Sequence, residues 1–159
     1  MKRMIRIATM AVAALWACVD PTYAQTKSTD VFPVFVDVEY DSGNSVAGRL
    51  AYEIKEKLRA SHGMKLVYSA DEGRIRLSVV AVASDNEGGS RATAYSAVWI
   101  LKTWHQDPLD VFETQLVGIV GIDKVEAVAA KLVANTDSLV TKWRELMARS
   151  EAASKADNP

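Results

Sequence analysis

Read for its alternation of apolar and polar positions, the chain opens its ordered part at Val31. From Val31 to Tyr40, Val34, Val36, Val38 and Tyr40 alternate with Phe35, Asp37 and Glu39, which is the two-residue period of a strand, and Pro33 is tolerated near a strand's start or on an edge. Asp41-Ser42-Gly43-Asn44 is turn chemistry. Val46, Leu50, Ile54 and Leu58 then recur every fourth residue, predicting an amphipathic helix that stops at Gly63 and carries Glu53 and Lys57 as an outward pair at helical spacing. Met64 to Tyr68 and Arg74 to Ala83 read as strands, Asp85 to Ser90 as a break, Arg91 to Trp104 as a long strand, His105 to Pro108 as a hairpin tip and Val111 to Val120 as the returning strand. From Val125 to Met147 the apolar residues step by threes and fours, with Asp123 and Glu126 as an acidic variant of a capping box. Asn135-Thr136-Asp137-Ser138 weakens this helix and could divide it, and residues 150–159 form a polar tail expected to fray into disorder.

The resulting order is β-α-β-β-β-β-α. A strand-helix-strand start makes the first two strands parallel, and short turns make the later ones antiparallel. Two helices with one apolar stripe each fit most economically on one face of a mixed five-stranded sheet, an α+β two-layer sandwich formed as a single domain over residues 25–149.

One feature does not fit such a sandwich. A sheet covered on one face should be polar at every second position, yet Ala97-Val98-Trp99-Ile100-Leu101 does not alternate, and Val79 to Ala83 and Val117 to Ile122 behave alike. Taking Arg76, Ser78, Ser96, Lys102, Glu113 and Gln115 as outward places Val80, Val82, Val98, Ile100, Val117 and Ile119 on the face away from the helices. Two accounts follow. Either this face binds a partner, or the last helix divides near Asn135 and wraps around to bury it.

The N-terminus has a different character. Lys2, Arg3 and Arg6 precede thirteen uncharged, mostly apolar residues from Ile7 to Val19, and Pro21 and the small residues Thr22 and Ala24 follow. This is the pattern of a secretory signal over residues 1–24, cut between Ala24 and Gln25. The run is short of the roughly 20 apolar residues needed to span a membrane, and no later segment is long enough. The single cysteine, Cys18, falls inside the signal, so the remaining chain holds no disulfide or thiolate site. Leu15-Trp16-Ala17-Cys18 also has the outline of a lipobox, with bulky Trp16 where a small residue is usual; lipidation of Cys18 is the alternative, and the only route to membrane contact.

Charge and composition narrow the function further. The full chain of 159 residues is 49% hydrophobic and 25% charged, in the range of ordinary globular proteins. Without Lys2, Arg3, Arg6 and Asp20 it holds 16 basic and 19 acidic residues, net −3, and no basic run, which argues against nucleic acid as a partner. His62 and His105 are the only histidines. His62 stands where a helix end would use it to meet terminal carbonyls, and His105, with Asp107 and Asp110, sits on a hairpin tip without the supporting shell a metal or acid-base site needs. Glu87-Gly88-Gly89-Ser90 lies between strands and reads as a turn, and Gly118 to Gly121 lacks the three glycines and distal acid of a dinucleotide fingerprint. The sequence therefore offers no catalytic residue, no metal ligand set and no cofactor site.

Val34 to Glu39, Gly48-Arg49-Leu50 with Leu58, Lys65-Leu66-Val67 and Arg76-Leu77-Ser78-Val79 resemble, in order and apolar spacing, small envelope domains of Gram-negative bacteria. That group includes the lipopolysaccharide-assembly lipoprotein LptE, the N-terminal domain of TolB and the curli secretion protein CsgG. The resemblance implies non-enzymatic work in envelope assembly or transport. The expectation is a periplasmic or secreted binding and assembly module that meets an envelope protein or a second copy of itself. An inhibitor or immunity protein that blocks a secreted enzyme is the alternative, and a hydrolase around His105 the third reading.

Overall fold

The computed structural model describes residues 31–84, 91–103 and 109–156. The signal segment, Cys18, the Ala24–Gln25 junction, the Gly88–Gly89 turn and the tip carrying His105 lie outside the described residues. The elements are β1 (Phe32–Tyr40), α1 (Ser45–Arg59), β2 (Met64–Val67), β3 (Ile75–Ala83), β4 (Ala92–Lys102), β5 (Asp110–Gly121) and α2 (Val125–Ala156). They form the α+β sandwich expected, with a five-stranded mixed sheet in the order β2-β1-β3-β4-β5. β2 and β3 run parallel to β1 on its two sides, and β3, β4 and β5 are antiparallel neighbours.

Both helices bury their stripes against one face of this sheet. Val46, Leu50, Ile54 and Leu58 of α1 and Val125, Ala129, Leu132 and Val140 of α2 meet Val34, Val36, Leu77, Val79, Ala97, Trp99 and Val120 in one core. Asn44, ahead of α1, is buried, and its side-chain oxygen accepts from the Ala47 amide at 3.0 Å, satisfying one of the donors a helix start leaves open. Its amide nitrogen donates to Thr93 Oγ1 at 2.8 Å, and Thr93 Oγ1 donates to the Val82 carbonyl at 2.7 Å. The start of α1 is thus tied to β3 and β4.

α2 is continuous through Asn135 to Ser138. The hydroxyls that weaken the sequence pattern there bond back to the preceding turn, Thr136 to the Leu132 carbonyl at 2.9 Å and Ser138 to the Ala134 carbonyl at 3.0 Å, so they leave the helical ladder intact. Thr136 is buried and accepts the Trp99 indole N–H at 2.8 Å. A divided helix wrapped over the second face is therefore overturned.

Several local expectations also change. α2 runs to Ala156 instead of fraying at Ser150, in keeping with the high helix propensity of its alanines. It begins at Val125, and Asp123 pairs with Lys124 at 3.8 Å in the turn before it. Lys57 reaches across to Glu126 of α2 at 3.4 Å instead of pairing with Glu53, while Arg59 pairs with Glu56. α1 ends at Arg59 with Ala60 in right-handed backbone, and no glycine among the described residues has positive φ, so Gly63 is not a left-handed cap. Its carbonyl instead accepts from Arg144 of α2 at 2.9 Å.

Candidate functional site

Strand alternation sends the other side chains of the sheet away from the helices. The parallel and antiparallel registers align them in rows across the outer face: Asp37, Ser78, Val98 and Gln115; Glu39, Val80, Ser96 and Val117; Val82, Ala94 and Ile119. All six aliphatic residues placed outward by sequence parity are on this face. Val82 is 58%, Val117 67% and Ile119 75% exposed, and Val80 is exposed as well. Val98 and Ile100 are half-buried, because β4 lies between β3 and β5 and each is flanked by neighbours on both sides.

Phe112 also belongs to this face, against the parity of the β5 sequence. A β-bulge shifts the β4–β5 register between Trp99 and Ile100, so Trp99 pairs with Thr114 and Ile100 with Phe112, leaving Glu113 as the extra residue. Beyond the bulge the parity of β5 reverses. Phe112 therefore joins the outer face beside Ile100 and is exposed. A bulge carries no reliable signature in the local alternation, which is why sequence reading placed Glu113 there instead.

The two halves of the outer face differ. Toward β2, the connection from β2 to β3 crosses over β1, and Gly73 in it approaches so closely that a Cβ there would lie 2.7 Å from Phe35 Cβ. Val67, which shares the outward parity of Phe35, is buried on this side. Next to it Arg76 donates to Asp37 at 2.8 Å and lies over the Phe35 ring at 6.0 Å, a charged border to the apolar part. Over β3 to β5 this connection reaches only one end of the face, where Ala70 and Asp71 border a depression with Ile100, Lys102 and Asp110, and no described helix lies over the rest. Between Ser78 and Ile119 its three rows on β3, β4 and β5 hold only Ser, Val, Ala, Gln and Ile. The Ser96 hydroxyl at their centre accepts from Gln115 at 3.1 Å.

Burial pushes the Tyr95 phenol above the usual tyrosine range, and its hydroxyl packs against Gly118, where a Cβ would lie 2.8 Å from it. Gly118 to Gly121 is the end of β5, followed by the turn into α2, and is not a loop around a ligand. His62 is exposed beside a shallow depression that Lys57 and Asp137 also line, and at the end of α1 the Ala60 amide donates to the Glu56 carbonyl and the Ser61 amide to the Leu58 carbonyl. Among the described residues no three His, Cys, Asp or Glu side chains are grouped to hold a metal ion. No described helix is long and apolar enough to cross a membrane.

No family model and no curated protein matches the sequence. Solved structures with a partial likeness include a hypothetical protein from Chlamydia trachomatis, at 9% identity and TM-score 0.47, covering 69% of this chain and 98% of that one. A PelC dodecamer from Paraburkholderia phytofirmans shares 13% identity at TM-score 0.43, over 69% of this chain and 86% of that one. The rare lipoprotein B of Shewanella oneidensis shares 8% at TM-score 0.34, over 69% and 98%. Likeness at this level assigns no activity.

Proposed function

We propose that the protein is a non-enzymatic binding or assembly module of the bacterial envelope, working through the β3–β5 part of its outer sheet face. The observation that supports this most directly is the exposure of Val80, Val82, Val117 and Ile119 on a sheet face bare of helix, with Phe112 farther along the same face beside Ile100. Their exposed area is on the order of 500 Å², in the upper part of the range for the largest apolar patch on a monomer, where such patches are often functional. At about 25 cal/mol per Å² its burial is worth on the order of 10 kcal/mol before the costs of association are subtracted. An inhibitor or immunity protein would use the same face against a secreted enzyme. The hydrolase reading depends on His105, outside the described residues.

The test is complementation of a deletion strain by variants of the exposed residues. Ile119→Asp and Val82→Asp are expected to fold, because both side chains already face solvent, and to lose the ability to restore the strain. Tyr52→Asp, exposed on α1, serves as the control and should restore it. Full rescue by Ile119→Asp and Val82→Asp would remove the face from the function.

Export is the second expected outcome. The protein recovered from cells should have the mass of residues 25–159 with Gln25 as its first residue, measured by intact mass spectrometry. A diacylglyceryl adduct on Cys18 would place it on a membrane surface instead.

A further inference from the structure

We infer that the occupant of the outer face is a second copy of this chain, stacked sheet on sheet about a two-fold axis near Ser96. This rests on the reading that the face is the working surface and names what covers it.

The geometry of the patch points to self-association. Its three central rows form a field of Val, Ile, Ala, Ser and Gln centred on Ser96, and none of these side chains is charged; Phe112 lies beyond them, in the row of Ile100 and Arg76. A two-fold contact places a patch against itself, so any charge near the axis would meet its own image; this field has none. The charges border it: Arg76 with Asp37 and Glu39 on the β1 side, and Lys102 paired with Asp71 at 3.2 Å at the end of β4. Such a rim stays in water when the centre closes.

Area agrees with this. Two patches of on the order of 500 Å² bury about 1,000 Å² of apolar surface, and the surrounding polar rows bring the contact into the range of specific interfaces, which begins near 1,200 Å² in total. Pairing edge to edge through β5 is the other way for two sheets to meet. It would leave Val80 and Val82, two strands in from that edge, as exposed as before. Stacking covers them together with Val117, Ile119 and Phe112. Two sheets packed in this way lie about 10 Å apart, with their inner side chains interdigitated.

Analytical ultracentrifugation of the exported protein tests the inference. The wild type is expected to sediment as two copies in the micromolar range, and Ile119→Asp and Val82→Asp as single folded copies, with dissociation at least about 100-fold easier. Val82→Asp separates stacking from edge pairing, because Val82 lies two strands in from the β5 edge and only stacking covers it. A single-copy wild type overturns the inference, as does a two-copy mass that Ile119→Asp or Val82→Asp leaves unchanged.

The same variants separate this from the functional reading. If the wild type is a single copy and Ile119→Asp still fails to complement, the face is at work on another protein and the second copy is wrong. If Ile119→Asp splits a dimer yet complements fully, the stacked dimer stands and the proposed function falls.

Discussion

Trp99→Ala is expected to cost about 4 kcal/mol of folding stability, within the range for removing a large aromatic from a core. Trp99 is 1% exposed, the largest fully buried side chain among the described residues, and sits where β4 meets both helices' packing layer. Its indole N–H also holds Thr136 in the middle of α2. The substitution therefore leaves a cavity and takes away the donor that Thr136 accepts from. For a domain whose whole stability is on the order of 5–15 kcal/mol, this removes a large fraction. Trp99→Phe keeps a six-membered ring in the core but loses the five-membered ring with its N–H, so it combines the lost hydrogen bond with a smaller cavity and should cost about 2–3 kcal/mol. Urea denaturation followed by circular dichroism measures both. Equal losses for the two variants would mean that the hydrogen bond, and not the packing, carries the effect.

Asn44→Ala should cost about 2–3 kcal/mol, large for a residue in a turn. The loss combines a helix cap, worth about 1 kcal/mol, with a buried hydroxyl at Thr93 that loses its donor. Thr93→Val removes the other end of the pair and leaves the Asn44 amide buried without its acceptor. The two positions touch, so the double variant should cost less than the sum of the single ones by about 1 kcal/mol, read from a thermal or urea double-mutant cycle. Strict additivity would show that the α1 start and β4 are not coupled through this bond.

The contrast between Asn44 and Thr93 shows where sequence reading stops. Asn44 was legible as a turn residue ahead of an apolar helix. Its bond to Thr93 joins positions 49 residues apart, and no local pattern announces it. The same holds for Thr136. Inside Asn135-Thr136-Asp137-Ser138 it reads as a helix breaker, and only its partner Trp99, 37 residues away, makes it a buried part of α2. For the candidate face, the polar markers Arg76 and Ser78 in β3 and Ser96 and Lys102 in β4 set the parity that put Val80, Val82, Val98 and Ile100 outward, although the apolar run of each strand does not itself alternate. In β5 parity worked as far as the bulge and failed beyond it, losing Phe112.

By itself, then, the sequence determined the order and kind of every element, the β-α-β start, the helix stripes and the existence of a second apolar face. These follow from periods of two and about 3.6 residues, which are properties of the local backbone. Tertiary structure decided what the periods could not. It kept α2 in one piece, since a hydroxyl can bond back within a helix or break it according to what packs beside it. It laid the β2–β3 connection over β1, covering Phe35 and Val67 and leaving the β3–β5 field open. It also set the bulge that turns Phe112 outward. Each of these depends on contacts between residues far apart in the chain, whose free energy is settled only when the layers meet.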